Sequence, residues 1–346
     1  MSNTKEIKIG NKRIGAGNKI LVQSMLNVIS TDISGNVEQA KRLEAAGCDI
    51  IRVSVPDIQA VRLVDAIKNE TNIPLVADIH FDYKIALECA AAGVDKIRIN
   101  PGNIGSSDRV KAVADACKQK NIPIRIGVNS GSLDKEILKK HGAVTAAALC
   151  ESALTQAKML EEFDFDDIVI SIKSSDVRKT IDAYRMVSSQ CNYPLHLGIT
   201  EAGSAHMGLI KSAIGIGSLL CDGIGDTIRV SLTDAPEKEV DAGRDILRAI
   251  GLEKGVQLVS CPTCGRTKID LIKIAAEVEA ALKDVKKDTK VAVMGCVVNG
   301  PGEASDADIG IAGGDKCAVL FKKGEIICKI PENEIVERLL SEIDKM

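Results

Sequence analysis

Between about residues 20 and 250, short runs of β-branched and other aliphatic residues alternate with longer stretches whose apolar positions recur at helical spacing. This is the pattern of repeated strand–helix units. Eight runs read as strands: ILVQSM (20–25), IIRVSV (50–55), PLVADI (74–79), KIRIN (96–100), PIRIGVN (123–129), DIVISIK (167–173), PLHLGI (194–199) and TIRVSL (227–232). Eight strands within roughly 230 residues predict a closed (β/α)8 barrel rather than an open doubly wound sheet, which usually has fewer. Two helix-to-strand joins, EAAGCDIIRV and AAAGVDKIRI, place a glycine just before the next strand, so Gly47 and Gly93 are expected to end helices.

Beyond Gly251 the rhythm changes. A cysteine turn, a helix near 268–283, a strand VAVMG and a glycine-rich loop NGPGEA are followed by IGIAGG, a hairpin turning at Lys323-Gly324 and a helix from Pro331. These elements read as a small α+β unit. The expected fold is therefore α/β, a TIM barrel over residues 1–252 that binds substrate, followed by a small α+β domain over 253–346. A chain this long exceeds the size at which single cores stop growing, which agrees with one large domain and one small one.

Composition changes the picture in two ways. Phe 4, Tyr 3 and Trp 0 leave an aliphatic core and almost no platforms for base stacking. Together with a net charge of -3 and a pI near 5.9, this argues against nucleic acid as a partner. No apolar segment of signal-peptide type opens the chain and no run approaches the ~18 residues of a spanning helix, so a cytoplasmic protein with no membrane contact is expected. Eleven cysteines, an odd count without a secretion signal, speak for metal or redox chemistry rather than a disulfide framework. Cys48, Cys89, Cys117, Cys150, Cys191 and Cys221 stand singly in apolar surroundings and read as buried small hydrophobes.

Four strands carry the same dipeptide: Ile51-Arg52, Ile97-Arg98, Ile124-Arg125 and Ile228-Arg229. Side chains alternate along a strand, so Ser54, Asn100, Gly127 with Asn129, and Ser231 share the arginine faces. Barrel strands bury both faces, and charge inside them needs a reason. Internal salt bridging is the bland one, with Asp78 able to pair with one arginine, but four arginines and Lys173 exceed the acids beside them in sequence. They lie toward the C-terminal ends of their strands, the active-site face of this architecture. Converging guanidinium groups suit a substrate with more than one phosphate. On the seventh strand His196, Gly198 and Thr200 share a face, with Glu201 at the rim as a candidate for acid–base work.

The turn Cys261-Pro262-Thr263-Cys264-Gly265 and, 32 residues after Cys264, the loop Gly295-Cys296-Val297-Val298-Asn299-Gly300-Pro301-Gly302-Glu303 supply three thiols and a carboxylate. One Cys-x-x-Cys turn can aim two sulfurs at one metal centre, with glycines allowing close backbone approach. A zinc site would want a fourth Cys or His. No His follows Cys264, and Cys317 and Cys328 fall on predicted strands and read as core.

VQSM, ADIHF, RINPGNIG, RIGVNSGSL, LHLGITEAG, GIGDTIRVSLT, SCPTCGRT, VMGCVVNGPGEA and DIGIAGG, in this order along nearly the whole chain, resemble the 4-hydroxy-3-methylbut-2-enyl diphosphate synthase family in its two-domain bacterial form. One departure follows QSM, where Leu26, Asn27, Val28, Ile29, Ser30 and Thr31 replace an expected threonine-rich loop. The resemblance implies reductive ring opening and dehydration of 2-C-methyl-D-erythritol 2,4-cyclodiphosphate in isoprenoid biosynthesis, with a [4Fe-4S] cluster and electrons from ferredoxin or flavodoxin. By the same resemblance Cys261, Cys264, Cys296 and Glu303 are expected as cluster ligands. Arg52, Arg98, Asn100, Arg125, Asn129, Lys173, Arg229 and Ser231 are expected to hold the diphosphate, joined on the same interior by Asp78, His196 and Thr200. Glu201 is expected to donate a proton near the departing hydroxyl, and Glu303 to yield its place on iron to a substrate oxygen. Two other readings stand beside this one: a barrel lyase with a zinc ribbon, and a barrel joined to a nucleic-acid-binding module. A linker as short as residues 250–258 spans at most roughly 30 Å. A head-to-tail homodimer, with one chain's second domain capping its partner's barrel, is therefore the expected assembly.

Overall fold

The computed structural model describes residues 4–346 apart from positions 284, 286, 298–301 and 303. The chain falls into two compact units, Met1–Ile250 and Gly251–Met346.

The first unit opens on a feature that periodicity did not announce, an antiparallel hairpin of β1 (Ile7–Ile9) and β2 (Lys12–Ile14) turning at Gly10 in the left-handed region. All eight expected strands follow: β3 (Leu21–Met25), β4 (Ile50–Ser54), β5 (Leu75–Asp78), β6 (Lys96–Ile99), β7 (Ile124–Asn129), β8 (Ile168–Lys173), β9 (His196–Leu197) and β10 (Thr227–Ile228). They pair in parallel in the order β8-β7-β6-β5-β4-β3-β10-β9, and a bridge between Ile170 and Leu195 closes the ring. β9 is cut short because Pro194 has no N–H to donate and a side chain at Gly198 would stand 2.9 Å from the Arg229 carbonyl. Gly47 and Gly93 take positive φ just past the helices Ile33–Ala45 and Tyr83–Ala91, as the sequence predicts.

Alternation sorts each strand. Outward residues such as Ile51, Val53, Ala77, Ile97, Ile124 and Ile170 enter the main core beneath the helices. Inward, Leu21, Ile50, Val76 and Val169 form a separate apolar cluster with Ile7, Ile9 and Ile14 of the hairpin. The hairpin thus plugs the barrel floor with aliphatic side chains. Above that floor the interior turns polar, with Gln23, Arg52, Asp78, Lys96, Arg98, Arg125 and His196 all buried.

In the second unit β11 (Val256–Ser260), β12 (Thr289–Met294) and β13 (Ile309–Gly314) are parallel, and β14 (Cys317–Lys322) and β15 (Glu325–Pro331) continue the sheet antiparallel. β11 was not expected, since its run VQLVS merges with the cysteine turn that follows. Lys323 and Gly324 both take positive φ in the predicted hairpin turn. Leu271, Ile274 and Val278 of the helix Leu271–Leu282, with Ile335, Leu339 and Ile343 of the helix Ile335–Asp344, cluster with Val291, Val293, Ile309 and Ile311 of the sheet. Ala292, Met294, Ala312 and Phe321 form a second cluster, for which Gly310 must lack a side chain: a Cβ there would stand 2.5 Å from the Phe321 ring and 2.7 Å from Ala292 Cβ.

One cysteine departs from the sequence reading outright and three others are buried only in part. Cys221, the last residue of the helix Ala205–Cys221, is exposed, while Cys191 is half-buried and packs against the main core. Cys317 on β14 and Cys328 on the edge strand β15 are likewise half-buried, and Cys328 packs against the apolar core of its unit. Among the described residues no helix is long and apolar enough to cross a membrane.

Candidate functional site

The polar interior of the barrel is built by strand parity. Arg52 lies opposite Val76 on β4 and β5, Asp78 opposite Arg98 on β5 and β6, and Arg98 opposite Arg125 on β6 and β7. One carboxylate serves two guanidinium groups: Arg52 Nη2 donates to Asp78 Oδ2 (2.5 Å) and Arg98 Nη1 to Asp78 Oδ1 (3.1 Å). Burial pushes the Asp78 carboxyl up, but Arg52 and Arg98 outweigh it and hold Asp78 well below the usual carboxylate range. His80, half-exposed beyond β5, stands 3.6 Å from the same carboxylate.

Arg229 finds its acid elsewhere. Its Nε and Nη2 each donate to a carboxylate oxygen of Glu239, both at 3.2 Å, and Glu239 also accepts from Ser24 Oγ and the Leu232 amide. Glu239 comes from the helix Pro236–Ala249 and was missed in the sequence, where the acidic first turn PEKE looks like an ordinary solvated helix start. Arg125, fully buried, has no acid: Nη1 donates to Gln23 Oε1 at 3.2 Å, while Nε and Nη2 meet no partner among the described residues. Burial pushes Arg125 and Lys173 down from their ordinary values, with the neighbouring guanidinium groups adding to the effect. Arg52 Nε and Nη1, Arg98 Nε, Lys96 Nζ and His196 Nε2 are also buried and meet no partner among the described residues. Nearly all of these atoms are donors, so among the described residues the interior has fewer acceptors than donors, a balance that suits an anion.

The other expected residues fall around this layer. Asn129 and Lys173 end neighbouring strands, paired in register and half-buried. Asn100 is buried and caps the turn Pro101–Ile104 by accepting from the Gly102 amide at 3.1 Å. His196 Nδ1 lies 2.8 Å from Thr227 Oγ1, while Tyr184 holds the strand by donating to the His196 carbonyl. Thr200 and Ser231 are half-buried, and Glu201 is exposed with φ of 50°, a left-handed conformation that non-glycine residues rarely hold without cause. In the departing loop after β3, Leu26 is buried and Asn27 exchanges hydrogen bonds with Gln39 (2.9 and 2.7 Å). Gln23 and Lys96 were missed, although the signal was present: each is a polar residue at an inward position of an otherwise aliphatic run.

The cysteines lie in the second unit at the C-terminal ends of parallel strands. Ser260 pairs with Val293, so Cys261 follows β11 where β12 runs on toward Cys296. The Gly295 amide donates to Cys261 Sγ at 3.2 Å, and the Lys268 amide donates to the Gly295 carbonyl at 2.9 Å, which stitches the two loops together. Thr267 closes the turn by accepting from the Cys264 amide (3.2 Å) and donating its own to the Cys264 carbonyl (3.0 Å). Cys264 is exposed, and the backbone and side chain of Arg266 lower its thiol pKa, favouring thiolate. Cys261 is half-buried and Cys296 buried. Among the described residues no three His, Cys, Asp or Glu side chains stand close enough to hold a metal ion, and Glu303 lies outside the described residues. Soft thiol donors on two stitched loops, one already receiving an amide N–H at sulfur, nonetheless fit an iron–sulfur cluster in chemistry and placement.

A (β/α)8 barrel with a buried cationic interior, followed by a separate unit bearing cysteines at strand ends, defines a class of two-unit barrel protein whose side chains suit an anion in one unit and a soft metal in the other. The chain belongs to the GcpE family: the GcpE TIM-barrel domain matches residues 4–244 and the GcpE protein C-terminal domain residues 257–345. It is 62% identical over 344 residues to a protein of Caldanaerobacter subterraneus subsp. tengcongensis named 4-hydroxy-3-methylbut-2-en-1-yl diphosphate synthase (flavodoxin), covering 99% of this chain and 97% of that one. A protein of the same name from Clostridium acetobutylicum is 58% identical, with 99% of each chain covered. Among solved structures, the dihydropteroate synthases of Xanthomonas albilineans and Yersinia pestis align with a TM-score of 0.51 at 12% identity. They cover 71% and 72% of this chain and 98% and 100% of their own, a likeness of barrel fold alone.

Proposed function

We propose that this chain is the reductase that opens the ring of 2-C-methyl-D-erythritol 2,4-cyclodiphosphate and expels a hydroxyl as water, giving 4-hydroxy-3-methylbut-2-enyl diphosphate for isoprenoid biosynthesis. Two electrons and a proton enter, and flavodoxin is the electron donor, as the names of the relatives say of those proteins. The observation that carries the reading is Arg125, fully buried with two donor atoms unpartnered amid Arg52 and Arg98, which asks for a polyanion such as a diphosphate.

Cys261, Cys264 and Cys296 would hold a [4Fe-4S] cluster, with Glu303 as an oxygen ligand. When bound, the cluster supplies electrons singly and an open coordination position for a substrate oxygen. The chain's own residues do the rest. Arg52, Arg98, Arg125, Lys173 and Arg229, with Asn100, Asn129 and Ser231, grip the diphosphate. Asp78 keeps Arg52 and Arg98 oriented, His196 and Thr200 line the approach, and the Glu201 carboxyl at the rim delivers a proton to the leaving hydroxyl. The protein works in the cytoplasm as a homodimer, one protomer's second unit serving its partner's barrel. Mixing Arg98→Ala with Cys296→Ser chains should then restore turnover, and dead mixtures in which hybrid dimers form would locate the site within one chain.

Anaerobic purification, iron, sulfide and zinc analysis, and turnover with reduced flavodoxin test the whole reading. Brown protein that forms the linear diphosphate is expected. Colourless zinc protein without reductase activity would favour a barrel lyase with a zinc ribbon.

A further inference from the structure

Lys96 has no part in the chemistry above. It opens β6, points inward like Arg98 two residues on, and stands opposite Val76 in register, next to the apolar floor. It is fully buried, and its Nζ has no hydrogen-bond partner among the described residues. The charged and titratable groups that share this interior come from the strands β4 to β9 and from beyond β10. They are Asp78 with Arg52 and Arg98 from β4 to β6, Arg125 from β7, Lys173 from β8, His196 from β9, and Arg229 with Glu239 beyond β10. Gln23 on β3 accepts from Arg125, and its Nε2 meets no acceptor among the described residues.

Counting only described residues, the cations are Arg52, Lys96, Arg98, Arg125, Lys173 and Arg229, and the acids are Asp78 and Glu239. The arginines cannot give up a proton, whereas a buried lysine can. Lys173 ends its strand and is partly exposed, so Lys96 is the deepest cation able to discharge. Burial, then Arg125 and Arg52, all push its ammonium form toward losing a proton. His196 is pushed the same way and already directs Nδ1 to Thr227.

We propose that Lys96 is the charge-balancing group of the barrel: its amine is uncharged while the interior holds no polyanion, and it takes one proton from solvent, becoming ammonium, when a diphosphate binds. The inference rests on the diphosphate reading of the site. A polyanion placed among the arginines offsets their field at Lys96 and adds an attraction of its own, so the balance tips to the charged form. The linear product carries one more ionisable oxygen than the cyclic substrate, and a lysine free to charge accommodates that extra negative charge without a second counter-ion. On product release the proton returns to solvent. Lys96 acts through charge and touches no reacting atom, so it is a positioning residue.

The test is calorimetric titration of the full chain, purified anaerobically, with inorganic pyrophosphate in buffers of differing ionisation enthalpy. The wild type should take up about one proton more per chain than Lys96→Met, because only the wild type has the titrating amine. Pyrophosphate's own ionisation is common to both and cancels. Lys96→Gln should match Lys96→Met and stands in for it should methionine disturb folding, while His196→Gln should retain the uptake. Removing an unpaired buried amine should also leave the unfolding temperature of Lys96→Met no lower than that of the wild type, which separates this role from a structural one. Equal proton counts in wild type and both lysine variants would overturn the proposal, as would an uptake lost in His196→Gln and kept in Lys96→Met. Failure of the wild type to bind pyrophosphate at all would overturn the diphosphate reading and this proposal with it.

Discussion

The barrel interior and the cysteine end of the second unit solve opposite problems. In the barrel, the charged side chains are buried on strands, fixed by parity and by the acids Asp78 and Glu239, so the site is largely formed in the protein alone. In the second unit, most of the apolar core is built from aliphatic side chains, with Cys261 packed against its edge and Cys296 buried. Cys264 is exposed, Cys261 only half-buried, and the loops are held by a few backbone bonds. A diphosphate site needs preorganised charge, because water would otherwise compete for every donor. A metal site can leave its geometry to the metal, whose binding energy orders the ligands.

Removing a thiol should break this contrast most completely. Cys261→Ser, Cys264→Ser and Cys296→Ser are each expected to abolish reductase activity and iron retention while pyrophosphate still binds the barrel. Iron analysis beside calorimetry checks both halves, and a Cys296→Ser protein with full iron and turnover would show that the ligands lie elsewhere.

Next in size are changes to the arginine layer. Arg98→Ala removes a charge-assisted contact worth about 1.5–3 kcal/mol, so KM should rise roughly ten- to a hundredfold. Gly127→Ala should do nearly the same without touching a charge, since its Cβ would stand 2.4 Å from Arg98 Nε and the guanidinium must move. Gly310→Ala is the counterpart in the second unit: overpacking against Phe321 and Ala292 should cost about 1–3 kcal/mol of stability there and leave pyrophosphate affinity in the barrel unchanged. Thermal unfolding and KM, measured on both glycine variants, would reverse the contrast if Gly127→Ala lost stability while keeping its KM.

A smaller effect should come from Glu239→Gln. The amide still reaches Arg229 but offers it one acceptor oxygen and no charge, so the guanidinium loses its fixed orientation. KM should rise several-fold with kcat little changed, and Glu239→Asp should recover less than the wild type because the shorter arm cannot hold both contacts.

The sequence made the barrel legible because its signal is repeated: eight aliphatic runs, with arginine at an inward position of four of them. It did not reveal the hairpin Ile7–Ile14, whose three-residue strands are too short to show a period, nor β11, whose alternation runs straight into Cys261. Asp78 was expected to serve one arginine and serves two, since only the closed barrel brings β4 and β6 to either side of β5. Glu239 carried no signal at all, for its role depends on where a helix docks. Glu303 lies outside the described residues, so its part in the cysteine site rests on family resemblance.

The smallest expected effect compares one acid from each region as pH falls. Asp78 and Glu342 both have folded pKa values below their ordinary ones, Asp78 through Arg52 and Arg98 against the opposing push of burial, and Glu342, at about 2, through hydrogen bonds from Lys322 and Lys345, each 2.8 Å. A group depressed in this way stabilises the fold above its unfolded pKa and loses that contribution as pH falls through the folded value. For Glu342 the window therefore runs from its unfolded value of 4.5 down to about 2. Lys345 is exposed and Lys322 half-buried at the surface, so solvent screening keeps the contribution small and salt-sensitive. Glu342→Gln should lower the urea midpoint slightly at neutral pH, and the difference should vanish toward pH 2. Asp78→Asn should lower it far more at neutral pH, because it leaves two buried guanidinium groups without their acid, and salt should do little to soften the loss. Urea titrations of both variants at low and high ionic strength check the pair. A Glu342 effect that matched Asp78 in size, or an Asp78 effect that salt erased, would remove the distinction between a preformed buried charge site and a solvated one.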